Sequence, residues 1–540
     1  MNGPAPAERL IALFRQNDQD GSGKIRRDKL IRVMADVSKD LAPPITEEEL
    51  RNALASKWKV EDSINYADFV HWLREAAESV QSRPELEHSG RHLVIHLDIN
   101  KTVIMSDHLA GKTEESVVNE VLANTSWGID VAGTWELMVT APCVFRPAER
   151  HEGQELASYA EWLEKVMPGR ESRKKRTKLM TMFTEEGQPG SKLAIHKDKM
   201  LAALRKPDGT YVQLIPPFFE MLASLKKNRR SFSLCFRTFG EDLPQVSTEL
   251  NAFCEGKHPL FPGVYMDGSD GDPDYRWHPA DATRSGTFHR DDSQDSLVLG
   301  TLDQPGEGKH RDAKDKSLRF YDAIPGVSRI ITGRTAVREF FWDLLAKPGT
   351  YGFRDFFPYW KHMHNTSAGG KMFFFTPSRS TNRHELFFDD NIRYNDAHIV
   401  QPINVLQPNR KLWATALLRR HLCRVDPLQA IYDPMYFVKE LAKLEEGYER
   451  HFVLCAKMVR IMKLFLILTR TWVQASKAAK LVRSKTRDVW YDCWAGLRIG
   501  DRGISTASTA EEDHDEDDAH MSHVHSLATQ ITDAQVTPCG

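Results

Sequence analysis

His96-Leu97-Asp98-Ile99-Asn100-Lys101-Thr102-Val103-Ile104 follows the apolar run Leu93-Val94-Ile95. A short, unbroken apolar run of this kind predicts a buried strand. Its end delivers Asp98 to a turn, and α/β folds bind ligands at such strand ends. Any chemistry of this chain is expected to begin at Asp98.

The surrounding sequence is long enough to need more than one core. At 540 residues it predicts two or three domains and a tail. Lys+Arg 73 against Asp+Glu 75 leaves a formal charge of -2. That balance gives no global electrostatic reason for nucleic-acid or membrane binding. The seven cysteines are far apart and form no Cys-x-x-Cys pair. This spacing favours a reducing compartment over a disulfide scaffold or zinc ribbon. With no basic, apolar leader at the N-terminus, a cytoplasmic protein is expected. The most apolar run, Ile461 to Val473, is short and carries Lys463 and Arg470, so no transmembrane segment is expected.

Upstream, Leu10, Ile11, Leu13 and Phe14 are at helical spacing before Asn17-Asp18-Gln19-Asp20-Gly21-Ser22-Gly23-Lys24-Ile25. This stretch resembles an EF-hand calcium loop. The resemblance assigns Asp18, Asp20 and Ser22 as side-chain ligands and Lys24 as a carbonyl ligand. Gly23 sits at the sharp turn, and Ile25 forms the short strand that pairs loops. Lys29 stands where a bidentate glutamate closes the shell, and Arg26 adds a second cation. Calcium binding is therefore expected to be weak. A second hand opens at Thr46-Glu47-Glu48-Glu49 and centres on Ile64, with Lys57 and Lys59 at acidic positions. It is expected to be a structural partner without metal. Residues 1–80 thus read as an all-α EF-hand pair that could accept a helix from this chain or another. Residues 81–91, polar with Pro and Gly, read as a linker.

Asp98-Ile99-Asn100-Lys101-Thr102 resembles the first motif of the haloacid dehalogenase superfamily, Asp-x-Asp-x-Thr/Val after a hydrophobic strand. Further motifs follow in order. Ser231 to Gly240 is a strand ending in Thr238, similar to the second motif. Glu385-Leu386-Phe387-Phe388-Asp389-Asp390 ends in paired carboxylates, similar to the fourth. For the third, a lysine, Lys371 after Gly369-Gly370 is the choice and Lys361 the reserve.

The resemblance implies a Rossmann-like α/β domain over 92–410, with insertions near 105–215 and 267–316. It implies Asp98 as nucleophile toward a phosphorylated substrate, through an aspartyl-phosphate. Magnesium would be held by Asp98, Asp389, Asp390 and the Asn100 carbonyl, while Thr238 and Lys371 would bind phosphoryl oxygens. Asn100 departs from the pattern. The family generally has an acid there as proton donor and acceptor, and an amide transfers no proton. Two functions follow: a magnesium-dependent phosphohydrolase or phosphotransferase, or a non-catalytic EF-hand sensor or scaffold with a pseudo-phosphatase domain.

The segment Asp267 to Lys316 has little periodicity and predicts a long loop or small cover. His398-Ile399-Val400 suggests one more core strand. Residues 411–495 read as a helical region, basic and amphipathic toward its end. Residues 496–540, with the block Glu511 to Asp518, read as an acidic disordered tail.

Overall fold

In a computed structural model the chain divides into two units, Met1–Ser82 with His451–Gly540, and Arg83–Arg450. The structure describes residues 21–38, 47–48, 51, 54, 62–69, 90–105, 111–148, 150–151, 153–169, 171–377, 381–393, 397–408 and 414–453.

In the first unit, β1 (Lys24–Arg26) leads directly into α1 (Arg27–Ser38), and β1 pairs antiparallel with β2 (Ser63–Asn65). Ile25 lies opposite Ile64 in this two-stranded ladder. Gly21 and Gly23 take φ of 63° and 70°, which residues with a Cβ rarely adopt. Ile64, Leu30, Ile31, Leu54 and Phe69 are buried. The proposed ligands Asp18 and Asp20, the residues Lys57 and Lys59, and the tail lie outside the described residues.

The second unit is built on a mixed eight-stranded sheet. Its first strand, β3 (His92–Asp98), is buried along its whole length. Leu93, Ile95 and Leu97 belong to one apolar cluster and Val94 to another, so both faces of the strand are covered. A continuous apolar sequence is what such a two-sided burial demands.

The segment after β3 folds as α2 (Glu114–Thr125), a small antiparallel sheet of β4 (Trp127–Val131), β5 (Thr134–Leu137) and β6 (Ala157–Ser158), and α3 (Tyr159–Val166). It continues through α4 (Arg173–Thr181), α5 (Ala194–Ala203) and α6 (Pro216–Lys227). Val118, Trp135, Tyr159, Phe183 and Phe218 of this segment share one apolar cluster with Leu93, Ile95 and Leu97. The insertion is thus part of the core on one face of the sheet.

The chain then enters β7 (Phe232–Thr238), α7 (Leu243–Cys254), β8 (Ser285–Arg290), β9 (Asp295–Leu299) and β10 (Arg329–Thr332). It proceeds through α8 (Arg334–Leu344), β11 (Gly349–Arg354), α9 (Phe357–His362), β12 (Lys371–Phe375), β13 (Arg383–Asp389), β14 (Val400–Asn404) and β15 (Leu422–Arg424).

The sheet order is β10-β9-β8-β11-β7-β3-β13-β15. From β8 to β15 neighbouring strands are parallel, and β9 turns the edge antiparallel. The chain leaves β3 toward β7 and β11 and later returns to β13 on the other side of β3. The order therefore reverses at β3, and the crevice beyond the carboxyl ends of β3 and β13 is a topological switch point.

Three sequence expectations change. Asp267 to Lys316 is not loop alone, because β8 and β9 lie within it and both are fully buried. Their polar residues, such as Ser285, Thr287 and Ser296, hide the strand pattern. The run at His398 leads into β14, which pairs with β12 in a separate two-stranded sheet. The boundary at 410 also cuts the main sheet, since β15 lies beyond it and Tyr436, Phe437, Leu441 and Leu444 join the core.

Candidate functional site

Asp98 ends β3 at the switch point and is 7% exposed. The turn that follows is wound tightly: Thr102, Val103 and Ile104 all donate their amides to the Ile99 carbonyl, and Lys101 takes a φ of 61°. This winding folds Thr102 back so that its hydroxyl donates to Asp98 Oδ2 at 3.3 Å. Thr102 Oγ1 in turn accepts the Asp390 amide at 3.2 Å, tying the β3 turn to the β13 end.

Lys371 is the centre of the charge arrangement. Its Nζ donates to Asp98 Oδ1 and, at 2.9 Å, to Asp389 Oδ2, and it lies 3.5 Å from the Arg237 carbonyl. Lys371 and Asp389 are fully buried. Lys361, the reserve candidate, is instead exposed on α9. Asp98, Asp389 and Asp390 each place a carboxylate oxygen within 4.8 Å of the others. Among the described residues they are the one such cluster.

The electrostatics follow from burial. Desolvation pushes the Asp98 carboxyl well above the usual aspartate range, and Asp389 and Asp390 push the same way against the opposing pull of Lys371. Asp390 is pushed up to about 7, again chiefly by burial and then by Asp389. Burial would lower the Lys371 ammonium, but Asp389 and Asp98 outweigh it and hold the lysine above its ordinary value. The site thus carries a surplus of carboxylate over ammonium, the condition in which an added cation is most favourable.

Thr238 ends β7 beside Asp98 and is buried; its Oγ1 accepts the Gly240 amide at 2.8 Å. Asn100 donates its side-chain amide to Asp242 Oδ2 at 2.9 Å. A Cβ on Gly240 would lie 2.5 Å from Asp242 Oδ2, 3.3 Å from Thr238 Oγ1 and 3.6 Å from Asn100 Nδ2. The absent side chain at Gly240 is what lets these three polar groups converge. On the other flank, buried Glu120 of α2 binds Lys101 at 3.1 Å and Lys112 at 2.6 Å. Burial alone would raise Glu120, but these two lysines hold it below its ordinary range.

Asp98, Asn100, Thr238, Lys371, Asp389 and Asp390 therefore converge at one end of the sheet. Ser22, Lys24 and Lys29 belong to the first unit, where Ser22 accepts the Lys24 amide at 3.3 Å and Lys29 is exposed on α1. Sequence reasoning missed Asp242, Arg237, Asp355 and Arg290. A signal existed for Arg237, a lone cation within the wholly buried strand Phe232–Thr238. Its partner Asp355 follows β11, distant in sequence, and nothing local marks it.

No protein-family profile, curated protein or solved structure matches this chain. Among the described residues no helix is long and apolar enough to cross a membrane.

Proposed function

We propose that residues 83–450 form a magnesium-dependent phosphohydrolase or phosphotransferase of the haloacid dehalogenase type, joined to an EF-hand-like pair that binds calcium weakly. The observation that carries this reading is Lys371 Nζ bridging Asp98 and Asp389 at the carboxyl ends of adjacent parallel strands.

Asp98 is the nucleophile. Its carboxylate oxygen forms a bond to phosphorus as the ester P–O bond breaks, and the leaving oxygen takes a proton from water. A second oxygen nucleophile, from water or an acceptor alcohol, then attacks phosphorus and releases the Asp98 carboxylate. Lys371 offsets the negative charge crowded on Asp98, Asp389 and the phosphoryl group. Thr102 orients Asp98 through its hydroxyl, and Thr238 lies beside it to meet a phosphoryl oxygen. Three converging carboxylates fit a hard cation with oxygen ligands. Magnesium held by Asp98, Asp389 and Asp390 would supply further neutralisation of the phosphate charge.

Asn100 supports a second reading, a domain that binds phosphate and metal without turnover, because its amide is engaged with Asp242 and transfers no proton. For the first unit, the Ile25–Ile64 pairing and the positive φ of Gly23 support the EF-hand-like reading, and Lys29 supports weak affinity.

The test is turnover of a broad panel of phosphate esters with magnesium, comparing the full chain with Asp98→Asn. The isosteric variant is expected to fold and to lose turnover. Equal, background rates in both proteins would remove the catalytic reading and leave the binding one.

A further inference from the structure

Lys371 is the first residue of β12, a strand outside the main sheet. Among the described residues β12 has one β partner, β14, toward which the Lys371 amide points, donating to the Ile399 carbonyl at 2.7 Å. Because direction alternates along a strand, the carbonyls of Gly370 and Met372 point to the opposite edge, where no strand pairs with it among the described residues. Buried carbonyls without partners are costly. Two arginines fill that place. Arg290 Nη1 donates to the Gly370 carbonyl at 2.6 Å, and Arg237 Nη1 donates to the Met372 carbonyl at 2.9 Å.

Both guanidiniums are themselves fixed. Arg290 ends β8, is 4% exposed, and donates through Nε to Asp295 Oδ1 at 2.8 Å and through Nη2 to Gln401 at 2.7 Å. It also lies 4.7 Å over the Tyr359 ring. Arg237, fully buried near the end of β7, donates through Nε to Asp355 Oδ2 at 2.9 Å and packs 4.8 Å over Phe288. A planar, multi-donor fork can satisfy a carboxylate and a peptide carbonyl at once, which a lysine ammonium on a flexible stem does less well.

From this geometry we infer that Arg290 and Arg237 are positioning residues for Lys371. They replace a missing neighbouring strand, gripping the carbonyls before and after Lys371 and fixing its Nζ between Asp98 and Asp389. The inference rests on the function proposed above, which assigns Lys371 its place in the site.

The experiment uses the full chain with Arg290→Gln and Arg290→Lys, the second keeping the charge if the first fails to fold. The first readout needs no activity: acylation of Lys371 by acetic anhydride, with exposed Lys361 as internal reference, followed by peptide mass spectrometry. The variants are expected to label Lys371 roughly tenfold faster, because the amine is no longer held against both carboxylates. The second readout is turnover of a phosphate ester. The expected loss in kcat is roughly tenfold to a hundredfold with little change in KM, since a misplacement of about 1 Å costs on that order. In a Lys371→Met background the Arg290 substitution is expected to cost nothing further, because it acts through the lysine. Unchanged Lys371 labelling, or losses that multiply in the double variant, would overturn the inference. If the wild type never exceeds Asp98→Asn, the function proposed above fails, and the labelling result alone decides whether the arginines hold Lys371.

Discussion

Replacing Lys371 by Met removes the ammonium shared by Asp98 and Asp389 while keeping most of the side-chain volume. Its Nζ lies 2.9 Å from Asp389 Oδ2, and both residues are buried. A pair at this separation attracts by about 6 kcal/mol at an effective dielectric of 20, before the desolvation of either ion is counted. Breaking a buried pair by removing one partner costs roughly 3–5 kcal/mol, because the other charge is left uncompensated. With an unfolding entropy of about 0.8 kcal/mol/K for a unit of this size, that is a fall of roughly 4–6 °C in Tm. The assay is thermal unfolding of wild type and Lys371→Met in EDTA and again in magnesium. Magnesium is expected to raise the variant more than the wild type, since Asp98 and Asp389 then lack their ammonium. Lowering the pH is expected to shrink the defect in EDTA, because Asp98, already pushed above its ordinary range, takes up a proton. A variant within about 1 kcal/mol of wild type in EDTA would refute the argument that this lysine neutralises the acid cluster.

Three further outcomes test other parts of the molecule. Asn100→Asp, which restores the acid that the motif resemblance expects, places a carboxylate oxygen against Asp242 at the present 2.9 Å contact. It is expected to cost on the order of 1–3 kcal/mol in denaturant unfolding, and Asn100→Asp with Asp242→Asn should recover that stability and raise turnover above wild type. Burial pushes the Glu385 carboxyl up to about 7, so the folded state keeps a proton that the unfolded state releases from about 4.5 upward. Folded stability therefore falls as pH rises through that window, and Glu385→Gln should remove this slope when Tm is compared between pH 5 and pH 8. Lys29→Glu supplies the missing carboxylate at the last position of the proposed calcium loop. Calorimetry on the full chain should show affinity at least roughly tenfold tighter than wild type, and equal heats would mean that the loop does not hold calcium.

The buried strand at Asp98, the apolar strand ending in Asp389-Asp390 and the strand ending in Thr238 were legible in sequence because each couples an apolar run to a polar terminus. Lys371 was legible only through a motif order, since a lysine after two glycines has no local signature of burial. The strands β8 and β9 were not legible, because Ser285, Thr287 and Ser296 occupy positions that tertiary packing buries without making them apolar.

By itself the sequence determined which residues had to be buried and which acids stood at strand ends, since hydrophobic patterning is a local property of the chain. The tertiary structure decided what those acids meet. Only the parallel pairing of β3 with β7 and β13 brings Asp98 beside Thr238 and Asp389, and only the edge of β12 calls Arg290 and Arg237 to the carbonyls around Lys371. Such contacts join residues more than a hundred positions apart in the case of Arg237 and Met372, and no periodicity within either segment encodes them.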